Sequence, residues 1–304
     1  MKSLVTGASG LIGGYLVEHL LECGDAVTAC DTVHFPDAAI ECLPLDVLNR
    51  TAVHAVLEEQ EPDVIYHLAA QSLPDVSWED PAPTYRVNVI GTVNVLEAVK
   101  NVKPGAKVVI ACSSGAYAPV REETPITEDY ALDPSSPYGV SKFAVDTFAG
   151  MYAERHGLKI VRARPFYLVG PRKKGDVCSD FARGILAVER GEAKDVPVGN
   201  LDVIRDIMDV RDGVAALRVL ALEGEAGGVY NVCCGQGVSI GDVFNRLAAL
   251  SSVDVEARPD PQRQRKIDEP VKIGDASKLK ALGWQPRYDL ETTLADIMAY
   301  WREQ

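Results

Sequence analysis

Short β-branched runs alternate with amphipathic stretches through the first 165 residues, and the first junction between them is rich in glycine. Strand-like segments fall at 2–6, 26–30, 64–67, 107–111 and 159–163, with helical periodicity between them at 11–23, 52–59, 83–99 and 138–155. A strand-then-helix repeat buries its apolar faces best as a parallel sheet covered on both sides. The expected fold class is therefore α/β, a Rossmann-type doubly wound parallel sheet occupying residues 1–165. Past Pro165 the texture changes, with Pro171, Gly175, Gly191, Pro197 and Gly199 cutting the pattern into loops and short elements. Helical periodicity returns at 181–189, 240–250, 276–282 and 290–300. Residues 166–304 are read mainly as a smaller α/β substrate-binding region, with 229–232 placed to rejoin the first sheet.

The glycine-rich junction reads Thr6-Gly7-Ala8-Ser9-Gly10-Leu11-Ile12-Gly13. Three spaced glycines alone are weak evidence, but here they stand between the first strand and the first helix. Gly7 allows the tight turn, Gly10 lets backbone approach a pyrophosphate, and Gly13 lets helix pack closely on strand. The unpaired N–H groups of the helix start then face the phosphates. Asp31 follows Gly13 by eighteen residues, at the end of the second strand. A carboxylate there accepts the hydroxyls of an adenosine ribose and repels a 2′-phosphate. At ~4 Å and an effective dielectric of ~20, one such unit-charge pair costs roughly 4 kcal/mol. NAD(H) is accordingly expected over NADP(H). Asp46 and Val47 are candidates for the adenine end.

Tyr138-Gly-Val-Ser-Lys142 is the sole Tyr-x-x-x-Lys string in the chain. It opens a helical stretch, where residues four apart share a face. A phenol ordinarily titrates near 10, and a neighbouring ammonium is expected to lower that value and ready it for proton transfer. Ser113 and Ser114, at the end of the strand at 107–111, each offer a hydroxyl to hold the reacting oxygen. Cradle and pair together point to hydride chemistry on a carbonyl or carbinol.

Composition narrows the partners. The net charge of −13 argues against nucleic acid, whose binding needs a basic face. No run reaches the roughly 18 apolar residues that span a bilayer, and Met1 leads directly into a strand with no room for a signal peptide. Seven scattered cysteines without C-x-x-C or H-E-x-x-H strings argue against a disulfide framework and a zinc site. No metal is expected, and a reducing cytoplasmic location fits best. His67 is read as structural, and Lys173-Lys174 as a solvated loop.

The chain resembles the extended short-chain dehydrogenase/reductase family, which includes NAD-dependent epimerases and dehydratases. The resemblance rests on the run at 6–13, Tyr66-His-Leu-Ala-Ala70, Asn88-Val-Ile-Gly-Thr92, Ser113-Ser114 and Tyr138-x-x-x-Lys142, in that order. It implies that Ser113 and Tyr138 bind the substrate oxygen, that Tyr138 moves the proton, and that Lys142 also holds the nicotinamide ribose. It further implies cofactor contacts from Gly7, Ser9, Gly10, Leu11, Ile12, Gly13, Asp31, Asp46, Val47, Leu68, Ala69, Ala70 and Pro165. A nucleoside-diphosphate sugar substrate and a homodimer formed through the helices at 83–99 and 138–155 are implied as well.

The carboxy-terminal strings at 199–206, 209–212, 229–233 and 265–275 are similar to the GDP-mannose 4,6-dehydratase and GDP-6-deoxy-D-mannose reductase group. There Asn200 and Arg205 match substrate-facing positions, Arg265 a diphosphate-binding arginine and Asp268 an acidic residue near the nucleotide ribose. Ser114 and Tyr167 join this substrate set. Two fixed guanidinium groups suit a diphosphate. Three departures carry information. Gly115 occupies the position of the dehydratase glutamate, and glycine cannot take a proton, so dehydration is disfavoured. Tyr167 stands where asparagine is usual, and Asp31 departs from the group's NADPH preference. Reduction of a 4-keto-6-deoxy sugar nucleotide is the leading expectation; a nucleotide-sugar 4-epimerase and a non-catalytic nucleotide sensor are the alternatives.

Overall fold

The computed structural model describes residues 1–33, 42–264 and 269–304. The first half runs β1 (Lys2–Thr6), α1 (Leu11–Glu22), β2 (Ala26–Asp31), β3 (Cys42–Pro44), α2 (Arg50–Gln60), β4 (Val64–His67), α3 (Pro74–Glu79) and α4 (Pro81–Tyr85). After a π-turn at Arg86–Gly91 come α5 (Thr92–Val102), β5 (Lys107–Ala111), α6 (Pro137–His156) and β6 (Lys159–Pro165). The second half adds β7 (Tyr167–Val169), α7 (Val177–Glu189), β8 (Val196–Val198), β9 (Ile204–Asp209), α8 (Val210–Glu223) and β10 (Val229–Val232). It closes with β11 (Gly237–Ser239), α9 (Ile240–Ala248), β12 (Ala257–Pro259), β13 (Val271–Lys272), α10 (Ser277–Lys280) and α11 (Leu290–Arg302).

The large sheet has the order β10-β6-β5-β4-β1-β2-β3, and every pairing in it is parallel. Successive residues of each strand enter opposite cores, as the pleat requires. Val5, Tyr66, Val109 and Val161 meet Leu16 and Leu20 of α1 and Leu217 and Leu220 of α8 on one face. Leu4, Ile65, Val108 and Ile160 meet Leu57 of α2, Leu96 and Val99 of α5 and Val145 of α6 on the other. Burial on both faces is why these strands read as nearly continuous apolar runs. The sheet order turns back between β1 and β4, which opens a crevice at the strands' carboxyl ends.

A second sheet is centred on β9, with β7 and β13 parallel to it and β11 antiparallel. β8 and β12 form a separate parallel pair. Helices α7, α9 and α11 enclose a third core here, with Phe181 and Phe244 edge to face at 5.2 Å between ring centroids. β10 pairs with β6, so the chain returns to the large sheet after leaving it.

Two differences from the sequence expectation stand out. The single helix expected at 83–99 is broken by the π-turn, because Asn88 is buried and its amide is used elsewhere. The Thr92 hydroxyl takes the Asn88 carbonyl at 2.5 Å, and Gly91 lies so close to Val47 that a Cβ would stand 2.6 Å from Cγ2. Helix α8 was not singled out. Its N-cap is Asp209, whose Oδ1 accepts from the Arg211 amide at 2.8 Å, and its apolar face covers α1.

Candidate active site

Gly7 has φ +73°, and a Cβ there would stand 2.6 Å from the Ala69 amide nitrogen. A Cβ on Gly13 would stand 2.1 Å from the Gly7 carbonyl oxygen. Both positions therefore exclude any side chain, and β1, α1 and the turn after β4 close on one another through bare backbone. The N-cap of α1 is Gly10, with no side chain capping its amides and no acidic residue in the first turn. These amides without a side-chain cap, with the positive end of the helix dipole, suit an anion. That cradle fits the diphosphate of a dinucleotide.

At the end of β2, Asp31 Oδ2 accepts from the Ser9 amide at 2.9 Å and Oδ1 from the Thr32 amide at 2.6 Å. The glycine-rich turn thus fixes the carboxylate on the cavity wall. Ser9 itself acts through its backbone; its side chain turns to the Val33 carbonyl at 3.0 Å. Gly7, Gly10, Leu11, Ile12, Gly13, Asp31, Asp46, Val47, Leu68, Ala69, Ala70 and Pro165 all line one cavity of about 640 Å³. Ser9 is outside that lining.

Ser113, Ser114, Tyr138 and Lys142 line the same cavity. Ser136 caps α6 by accepting from the Gly139 amide at 3.0 Å, with Pro137 in the first turn, so Tyr138 stands at the helix mouth. The Tyr138 amide donates to Ser77 Oγ of α3 at 3.1 Å. Burial pushes the Tyr138 phenol above its ordinary value, while a hydrogen bond with Ser113 works against that rise. The sequence led us to expect the opposite direction, with Lys142 lowering it. The reason for the difference is where Lys142 goes: its Nζ donates to the Ala111 carbonyl at 2.8 Å, and burial pushes its own value down to about 8. In this state desolvation is the largest influence on the phenol, ahead of the Ser113 hydrogen bond.

Helix α6 is anchored by buried polar groups. Asn88 donates to the Ser141 hydroxyl at 2.9 Å and clasps the Gln71 backbone through its amide oxygen and nitrogen. One turn beyond Lys142, Asp146 pairs with Arg164 at 2.7 Å and Arg162 at 2.9 Å. Burial works to raise the Asp146 carboxyl, but Arg164 and Arg162 hold it below its ordinary value. Arg164 continues to the Tyr117 hydroxyl at 2.8 Å, which donates to Asn231 Oδ1 of β10 at 2.7 Å. His67 is bridged between the Thr6 and Thr92 hydroxyls at 2.8 and 2.9 Å, and burial lowers it to about 3. It is a neutral structural imidazole.

A second cavity of about 790 Å³ lies beside the first, and Asp75, Trp78, Tyr167, Gly175, Asp176 and Arg205 line both. Asn200 lines only the second, with its Oδ1 accepting from the Asp202 amide at 3.0 Å. Arg265 and Asp268 lie outside the described residues. Lys173 is not a solvated loop residue. Its Nζ donates to the Leu168 carbonyl at 2.6 Å, meets Asp176 at 3.0 Å and sits 4.5 Å from the Tyr167 ring centroid. Sequence reasoning also passed over Asp75 and Trp78 of α3, Ser135, Glu269 and Lys272, all on the first cavity's wall. Asp75, Trp78 and Ser135 sit in no motif, and Glu269 and Lys272 lie within the 265–275 string without a role there; cross-strand register and the folding of α3 over α6 bring them in.

A parallel sheet carrying a glycine-rich anion cradle at its switch point, with Tyr138 and Lys142 facing the same cavity, defines a nucleotide-dependent Rossmann-type protein of the short-chain dehydrogenase/reductase class. The sequence profile of the GDP-mannose 4,6 dehydratase family matches residues 4–297, and the chain belongs to that family. It is 32% identical to the GDP-6-deoxy-D-mannose reductase of Pseudomonas aeruginosa, over 100% of this chain and 98% of that one. It is 29% identical to the UDP-glucose 4-epimerase of Mycolicibacterium smegmatis, over 100% of this chain and 99% of the other. Among solved structures, RMD from Pseudomonas aeruginosa complexed with NADPH superposes with TM-score 0.87 at 32% identity, covering 99% of each chain. The Thermus thermophilus UDP-glucose 4-epimerase complex with NAD gives 0.89 at 28% identity, also covering 99% of each.

Proposed function

We propose that the protein is a nicotinamide-dependent reductase of a 4-keto-6-deoxy nucleoside-diphosphate sugar, GDP-linked as in its reductase relative. The observation that carries this reading is one cavity wall holding Ser113, Tyr138 and Lys142 together with the glycine cradle, continuous past Arg205 with a second cavity. The turn at 7–13 would hold the dinucleotide's phosphates, Asp31 its adenosine ribose and Lys142 its nicotinamide ribose. When bound, the nicotinamide supplies the hydride. Tyr138, kept protonated by burial, starts as the acid that reduction requires and donates its phenolic proton to the substrate's carbonyl oxygen. Ser113 holds that oxygen. Lys142, pushed down only to about 8, is still mostly cationic at neutral pH and stabilises the phenolate left behind.

Gly115 favours reduction over dehydration. A Cβ there would lie 3.6 Å from Tyr138 Cε1, so the position abuts the acid yet supplies no base. Asp31 supports NADH over NADPH, since its fixed carboxylate occupies the ribose end of the cradle. Val140, Phe143, Phe148 and Met151 are exposed apolar residues on α6, and they support a homodimer through that helix. No helix among the described residues is long and apolar enough to cross a membrane. All seven cysteines are free thiols, which supports a reducing, cytoplasmic location.

The test is to mix the purified protein with NADH and GDP-4-keto-6-deoxymannose and follow NADH absorbance. Stoichiometric NADH consumption with formation of a GDP-6-deoxyhexose is expected. Interconversion of C4 epimers without net nicotinamide turnover would replace the reductase reading with the epimerase one. Failure to act on any nucleotide sugar while still binding NADH would leave only a sensor.

A further inference from the structure

Arg205 and Lys272 are register partners on the parallel strands β9 and β13, so both side chains leave the sheet side by side. They do not serve the same space. Arg205 lines both cavities, whereas Lys272 and Glu269 line only the one that holds Ser113, Ser114 and Tyr138. Lys272 Nζ meets Glu269 Oε2 at 2.6 Å, with side-chain exposures of only 11% and 16%. Ser135, three residues before Tyr138, donates to the other carboxylate oxygen, Oε1, at 3.2 Å. Burial lowers the Lys272 ammonium, Glu269 works to restore it, and Arg205 opposes it.

Burying an ammonium and a carboxylate costs several kcal/mol per ion, only partly repaid by their attraction. An apolar pair of similar size would hold β13 in place at less cost. What the ionic pair has that an apolar one lacks is unused hydrogen-bonding capacity beside the acid. A carboxylate has about four lone-pair sites and an ammonium three donors. The contacts just described use two of the former and one of the latter. The remaining acceptors and donors lie next to each other, which matches neighbouring sugar hydroxyls, each needing one acceptor and one donor.

We propose that Glu269 and Lys272 form a sugar-reading pair that hydrogen-bonds the hexose hydroxyls other than the one at the reacting carbon. This rests on the sugar-nucleotide reading above. It assigns the diphosphate to the Arg205 junction and the hexose to the space between Tyr138 and the Glu269–Lys272 pair. Ser135 transmits the position of Glu269 to the mouth of α6, which keeps the hexose in line with Tyr138.

The experiment measures kcat/KM for a GDP-6-deoxyhexose and for its 3-deoxy and 2-deoxy analogues, in the oxidising direction, with wild type, Glu269→Gln and Lys272→Met. Wild type should prefer the fully hydroxylated sugar over at least one analogue by about tenfold or more. In the variants its kcat/KM should fall about 10- to 100-fold, mostly in KM, while the analogue lacking the contacted hydroxyl loses little. The preference would then shrink toward one. NADH affinity, measured by its fluorescence on the same preparations, should stay within about twofold and certifies that each variant is folded. Equal losses on all three sugars, or unchanged preference, would overturn the proposal while leaving the reductase reading intact. If wild type turns over no nucleotide sugar, the reductase reading itself fails and takes this one with it. Should Glu269→Gln not bind NADH, Lys272→Met alone decides by the same preference ratio.

Discussion

The two sides of the cavity that Tyr138 lines, the proposed cofactor side and the proposed substrate side, are built differently. On the cofactor side, each group comes from the end of a parallel strand or the first turn of the next helix, and backbone holds it. Asp31 is fixed by the Ser9 and Thr32 amides, and Lys142 by the Ala111 carbonyl. On the substrate side, side chains hold one another across segments distant in sequence. Lys272 reaches Glu269, Glu269 reaches Ser135, and Lys173 braces Tyr167 through its ring. Backbone-held groups keep their geometry when a neighbour is changed, whereas groups held by side chains move together. On the proposed reading, a fixed cradle side and a re-adjustable opposite side would suit a family whose relatives are named for different sugar nucleotides.

The contrast yields graded tests. The largest effect is expected from Tyr138→Phe, which should lower kcat by about 10²- to 10⁴-fold and leave NADH affinity nearly unchanged. Retained turnover would remove Tyr138 as the acid. Arg164→Ala should come next, through stability rather than chemistry. It leaves the buried Asp146 carboxylate with its other partner, Arg162, alone, and should cost about 3–5 kcal/mol in urea unfolding. A change under about 1 kcal/mol would mean that α6 is held by apolar packing alone.

Asp31→Asn should reduce the kcat/KM preference for NADH over NADPH by about tenfold or more, since it removes one charge repulsion. An unaltered ratio would break the link between that carboxylate and cofactor choice. The last test concerns pH. His67 is lowered to about 3 in the fold and titrates near 6.5 when unfolded, so the unfolded chain binds the extra proton between those values. Stability from this group is present above pH 6.5 and falls by about 1.4 kcal/mol per pH unit below it. His67→Gln should flatten that slope in melting curves taken from pH 6.5 to 4.5, and an unchanged slope would show that other groups set it.

The same contrast explains what could be read in advance. The expected strands at 2–6, 64–67 and 107–111 coincide with β1, β4 and β5, because burial on both faces demands uninterrupted apolar runs. The glycine turn was legible because Gly13 meets the Gly7 and Ala8 backbone of its own turn, although Gly7 closes on Leu68 and Ala69 of the turn after β4. The π-turn at Arg86–Gly91 was not legible, because it answers to Val47, Gln71 and Ser141, which are remote in sequence. Lys173 was misread for the same reason. A basic pair in a glycine-containing loop looks solvated until the Tyr167 ring and Asp176 are brought against it.

Sequence alone determined the α/β alternation, the anion cradle and the Tyr138–Lys142 spacing, all of which follow from rules acting within a turn or a strand. Tertiary structure decided that the Tyr138 phenol is raised rather than lowered, because desolvation depends on everything packed around a group and not on its neighbour four residues away. It also decided that Arg205 and Lys272, far apart in the chain, stand side by side above one cavity. Strand register makes that pairing, and register is fixed only when the whole sheet is assembled.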